Sequence, residues 1–79
     1  MDIKMYTKDK CIWCDRAKTL LGEYKLDYLE VDISDDIKRQ QFYQEVGKGV
    51  STVPQVYINE ERIGGYKELA EWLTNNVKD

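Results

Sequence analysis

The chain has 79 residues, 34 % of them charged and 42 % hydrophobic, with a net charge of −3. That is one small folded domain, residues 1-79, which buries about 60–65 % of its unfolded surface, and it is too hydrophobic for a disordered chain. The 12 basic residues are scattered among 15 acidic ones, so there is no footprint for nucleic acid, and no apolar run nears the about 20 residues of a membrane span.

Ile3-Lys4-Met5-Tyr6-Thr7 alternates apolar and polar residues, the period of a strand. Both cysteines follow, in Lys8-Asp9-Lys10-Cys11-Ile12-Trp13-Cys14. Ala17, Leu20, Leu21 and Tyr24 then share one face of a helix. Tyr28–Ile33 is strand-forming, and Ser34-Asp35-Asp36 offers a cap and first-turn acids for a helix over about residues 35–46. Its apolar set, Ile37, Phe42, Tyr43 and Val46, is irregular. Gln55–Asn59 suits a strand after Pro54, the only proline, and Asn59-Glu60-Glu61 suits a turn into Arg62-Ile63. Gly64-Gly65 precedes a last helical stripe of Tyr66, Leu69, Ala70, Leu73 and Val77. The order β-α-β-α-β-β-α predicts an α/β fold, a mixed sheet of about four strands with three helices on its faces.

A Cys-x-x-C pair can hold part of a metal site, close a staple, or carry electrons. A structural zinc needs four Cys or His ligands; two cysteines and no histidine do not supply them, and no metal is expected. An iron–sulfur cluster shared by two chains, completed by glutathione, stays open. A staple across so short a loop stabilises little, and the start Met1-Asp2-Ile3-Lys4 has no apolar leader, so the expected place is the cytoplasm, where thiols are kept reduced.

The redox reading fits the placement. Cys11 falls at the start of a helix, where free N–H groups and the dipole favour a thiolate and bring such pKa values from about 8.5 to 3.5–7.5. Lys8 and Lys10 add positive charge, partly offset by Asp9 and Asp15. Cys14, a turn further in, has no such help. Cys11 is then the attacking thiolate and Cys14 the thiol that resolves the mixed disulfide.

Three segments in order, Tyr6–Cys14, Ser51-Thr52-Val53-Pro54-Gln55-Val56-Tyr57-Ile58 and Ile63-Gly64-Gly65-Tyr66-Lys67-Glu68-Leu69, resemble the glutaredoxins of the thioredoxin-fold superfamily. The thioredoxin branch, with Gly-Pro between its cysteines, is less similar. The resemblance implies a monomeric, glutathione-dependent thiol–disulfide oxidoreductase that reduces protein disulfides and glutathione mixed disulfides, with ribonucleotide reductase among its acceptors. Two other readings go with it: a similar donor recharged by thioredoxin reductase, and the cluster-binding dimer.

Carried over by position, Cys11 and Cys14 are catalytic. Lys8 meets a glutathione carboxylate, Trp13 is a partly exposed platform beside Cys11, and Thr52-Val53-Pro54 is the loop whose proline is cis in the family and whose Val53 backbone pairs with glutathione. On sequence alone that bond would be read as trans, since only about 5–6 % of X–Pro bonds are cis. Gly64 and Gly65 make the turn into the last helix, whose first N–H groups, near Tyr66 and Lys67, hold the γ-glutamyl carboxylate. Glu68 meets its ammonium group. The chain departs from the family at Ile12-Trp13, where Pro-Tyr is common, at Lys67, where an acid is common, and at Val50-Ser51, where an arginine is frequent.

Overall fold

A computed structural model describes residues 1–77. Strand β1, Ile3–Thr7, leads into helix α1, Ile12–Glu23, then strand β2, Leu29–Asp32, and helix α2, Asp36–Val46. Strands β3, Gln55–Ile58, and β4, Glu61–Gly64, form a hairpin before helix α3, Tyr66–Asn76. The sheet order is β2-β1-β3-β4, with β1 parallel to β2 and antiparallel to β3, so the mixed four-stranded sheet with three helices is a thioredoxin-like fold.

Local chemistry sets the boundaries. Asn59 and Glu60 both have positive φ, 52° and 69°, as a two-residue hairpin turn between right-twisted strands requires. Asp35 caps α2, its carboxylate accepting the Lys38 N–H at 2.9 Å, and Gly47 (φ 67°) ends that helix. Tyr28 and Ile33 fall just outside β2, though the Ile33 N–H still bonds to the Thr7 carbonyl at 2.7 Å.

The alternation along β1 divides the sheet into two faces. Ile3 and Met5 join Val56 and Ile58 under Ala17 and Leu21 of α1 and Leu69 and Leu73 of α3. Met5, Leu21, Leu69 and Leu73 are fully buried, each worth about 1.5–3 kcal/mol of transfer free energy. On the other face Tyr6 stacks on Phe42 of α2, ring centroids 4.1 Å apart. Phe42 is the one buried residue of that helix, and Ile37 is 71 % exposed, which explains the irregular apolar pattern there. With α1 and α3 side by side on one face, the end of β1, the start of α1 and the start of α3 meet at one end of the sheet.

Candidate functional site

Cys11 is the N-cap residue of α1, in extended backbone (φ −122°, ψ 102°). Its Sγ accepts the Cys14 N–H at 3.1 Å, satisfying one of the N–H groups a helix start leaves unpaired. The two cysteines are joined in a disulfide, Cα atoms 5.2 Å apart. Cys11 is partly exposed, whereas Cys14 is fully buried. The sulfurs are thus unequal in access and in contact with helix N–H groups. The loop before them is held at its middle, where the Asp9 N–H donates to Ser34 Oγ at 2.8 Å.

Cys11 Sγ lies 3.7 Å from the Val53 carbonyl oxygen, so the second segment reaches the sulfur directly. The Val53–Pro54 peptide bond is cis. Gln55, 4 % exposed, holds this loop: its Nε2 donates to the Thr52 carbonyl at 3.0 Å, and its Oε1 accepts from Arg62 Nη1 at 3.1 Å. A Cβ on Gly65 would stand 3.4 Å from the Pro54 carbonyl oxygen, so the turn before α3 runs close against the loop.

Between loop and helix runs an open groove of about 660 Å³. Trp13 forms one wall, the backbone of Thr52, Val53 and Pro54 another, and Gly65, Tyr66, Lys67 and Glu68 the third. Every binding residue proposed from sequence lines it except Lys8, which stands half-buried on the β1–α1 loop outside it. Trp13 is 49 % exposed, between the Tyr66 ring at 5.4 Å and the Arg16 guanidinium at 4.6 Å. A larger hollow of about 730 Å³ lies at the opposite end of β1, among Asp2, Lys4, Tyr28 and Leu29, and holds no cysteine.

Sequence reasoning missed four participants. Ala70 and Glu71 extend the groove along α3; their signal is the i,i+4 spacing from Tyr66 and Lys67. Arg16 backs Trp13 from the next turn of α1, and Gln55 anchors the loop. Lys18, one turn beyond Cys14, pairs with Glu30 of β2 at 2.6 Å, and Glu30 also accepts from the buried Thr7 hydroxyl at 2.6 Å. The Lys18 bond, with Thr7 next, holds the Glu30 carboxyl below its ordinary range, and the same bond raises Lys18.

The glutaredoxin family model matches residues 3–63. The chain belongs to the glutaredoxin family. Glutaredoxin 1 of Escherichia coli K12 is 32 % identical over 83 residues, covering 98 % of each chain, and glutaredoxin 3 of the same organism is 35 % identical over 69 residues, covering 86 % of this chain and 81 % of that one. Among solved structures, glutaredoxin 1 from Francisella tularensis superposes with a TM-score of 0.87 at 34 % identity, covering 94 % of this chain and 93 % of that one. This glutaredoxin carries both cysteines of the dithiol type, and it is a thiol–disulfide oxidoreductase.

Proposed function

We propose that this glutaredoxin draws its electrons from glutathione and passes them, as a cytoplasmic monomer, to protein disulfides and glutathione mixed disulfides, ribonucleotide reductase being a candidate acceptor. One observation carries the reading: the sulfur of the partly exposed Cys11 stands at the Val53 carbonyl, beside a groove that runs over the first turn of α3. A peptide thiol bound there can pair its backbone with Val53 as an added strand while the helix start receives a carboxylate. Lys8, three residues before Cys11, supplies a cation for the other carboxylate.

The reduced protein begins with Cys11 as a thiolate, held by the N–H groups of the α1 start. It attacks one sulfur of the substrate disulfide; the other sulfur leaves as a thiolate and takes a proton. Cys14, losing its proton, then attacks Cys11 Sγ, which releases the second substrate thiol and closes the Cys11–Cys14 disulfide. Two glutathiones restore the dithiol, leaving as oxidised glutathione. A substrate that already carries glutathione needs Cys11 alone, because a second glutathione discharges the Cys11–glutathione disulfide.

The test couples turnover to glutathione reductase and NADPH. Cys11→Ser should abolish reduction of a glutathionylated peptide and of a protein disulfide, while Cys14→Ser keeps the first and loses the second. Equal loss in both variants contradicts the assigned roles. Turnover with thioredoxin reductase but not with glutathione would replace the electron source, and a coloured dimer after anaerobic reconstitution with iron and sulfide would favour the cluster reading.

A further inference from the structure

One oxygen of one side chain joins three elements away from the groove. Glu30 Oε2, on β2, accepts from the Thr7 hydroxyl of β1 and from the Lys18 ammonium of α1, each at 2.6 Å. Thr7 is 1 % exposed and ends β1, and Lys8, Asp9 and Lys10 separate it from Cys11. Lys18 stands one turn beyond Cys14 on α1. The joint therefore brackets the cysteine loop, strand end on one side and helix on the other. Among the described residues, Lys18–Glu30 is the only ion pair or side-chain hydrogen bond from α1 to a strand. The rest of the hold of α1 on the sheet is apolar, through Ala17 and Leu21. Such contacts have no direction, and packed helices can slide over them by small amounts.

We propose that Glu30 is a positioning residue for thiol–disulfide exchange: by fastening α1 to the end of β1, it keeps Cys11 at the cap of its helix. The sheet side of the loop is already fixed, since the Ile33 N–H bonds to the Thr7 carbonyl at 2.7 Å and the Asp9 N–H to Ser34 Oγ at 2.8 Å. Between these points and Cys11 stands Lys10 with φ 50°, a left-handed conformation that a non-glycine residue keeps only where its surroundings impose it. If α1 slides, Lys10 relaxes and draws Cys11 from the cap. The sulfur then loses the Cys14 N–H, 3.1 Å away in the fastened helix, and with it the setting that favours a thiolate. In the first step the Cys11 thiolate attacks one substrate sulfur, and the other leaves as a thiolate that takes a proton. That attack slows in proportion to the thiolate lost. Glu30 acts through Cys11 and touches no substrate.

Charge alone makes a different prediction, which the test separates. Loss of the Glu30 carboxylate by itself favours a nearby thiolate, loss of the Lys18 ammonium disfavours it, and Thr7→Val changes no charge. The measurement is the alkylation rate of Cys11 in Cys14→Ser protein at a pH below the midpoint of that protein, with folding checked by circular dichroism. Added to it, Glu30→Ala, Lys18→Met and Thr7→Val should each slow alkylation roughly two- to fivefold, the scale of a partly exposed charge pair. The plateau rate at high pH should not change. Attack on oxidised 2-mercaptoethanol, a disulfide with no glutathione in it, should slow by the same factor at the same low pH. Lys18→Arg and Thr7→Ser keep the donors and should match the Cys14→Ser protein. Faster alkylation in Glu30→Ala beside slower alkylation in Lys18→Met would assign the effect to charge and overturn the proposal. A Thr7→Val rate equal to that of Cys14→Ser alone, or equal slowing in Thr7→Val and Thr7→Ser, overturns it as well. Should Glu30→Ala not fold, the two Thr7 variants decide on the same terms.

Discussion

Gly64→Ala is the most informative single change at the groove. Gly64 has φ 131°, a conformation L-residues rarely adopt, and forcing one there costs of order 1–3 kcal/mol. The new methyl would also lie 2.7 Å from Glu68 Cγ, 2.9 Å from its Oε1 and 3.0 Å from its Cβ. Rotating the Glu68 side chain clears the first two contacts at the expense of the Gly65 N–H bond, a cap worth about 1 kcal/mol. Helix backbone fixes the third. The sum is about 2–4 kcal/mol, set against a total of about 5 kcal/mol for a chain of this size. At roughly 4–8 °C per kcal/mol, the midpoint of thermal unfolding should fall by at least about 8 °C. Glu68→Ala alone should cost about 1 kcal/mol. In the double variant the cap is already gone and the clash with Glu68 Cγ and Oε1 is absent, so its cost should be less than the sum by roughly 1 kcal/mol. Thermal and urea unfolding of the four proteins measure this cycle. A Gly64→Ala protein within about 0.5 kcal/mol of the parent, or a strictly additive cycle, would refute the reasoning.

Other consequences follow from the same geometry. In Cys14→Ser, the rate of Cys11 alkylation should rise with pH about a midpoint well below the ordinary thiol value of about 8.5, each unit being about 1.36 kcal/mol of preference for the thiolate; a midpoint at or above that value contradicts a helix-stabilised anion. Gln55→Ala frees the Thr52 carbonyl and leaves Arg62 without its acceptor, so KM for a glutathionylated peptide should rise, with a loss of about 1–2 kcal/mol in urea unfolding; an unchanged KM would show that the loop holds itself. Glu30 is held low by Lys18 and Thr7, so its stabilisation is present above the unfolded carboxyl value, near 4.5, and disappears as pH falls through the lower folded value. Both partners of that pair are about a third exposed, so the effect is under about 1 kcal/mol, and Glu30→Gln should flatten the acid limb of stability by that amount; an identical acid limb would count against the pairing.

Elements whose chemistry is local were legible in the sequence. The stripe of Ala17 and Leu21 and that of Leu69 and Leu73 gave α1 and α3, because buried faces repeat at the helical period. The turn at Asn59-Glu60 could be read from composition, and Cys11 as a helix start from its place after a strand. What depends on contacts distant in sequence was not legible. Nothing local to Val53-Pro54 marks the bond as cis, and nothing local to Gln55 shows that it reaches Arg62 on the neighbouring strand. The resemblance gives Glu68 as the partner of the glutathione ammonium group, and its capping role is not legible because a capping box is recognised by Ser, Thr, Asp or Asn at the N-cap, whereas here that position is Gly65.

That substitution connects the turn to the chemistry. A side-chain cap at position 65 would satisfy the helix start from within, but its Cβ would press toward the Pro54 carbonyl at 3.4 Å and narrow the groove. With glycine there the first-turn N–H groups receive no side-chain cap from the N-cap residue, and Glu68 is drawn back over Gly64 to bond the Gly65 N–H. Gly64 can accept that side chain only because it lacks a Cβ. The pair of glycines therefore does two jobs at once: Gly65 leaves the α3 start open for an anion, and Gly64 makes room for the acid that would otherwise stand beside it.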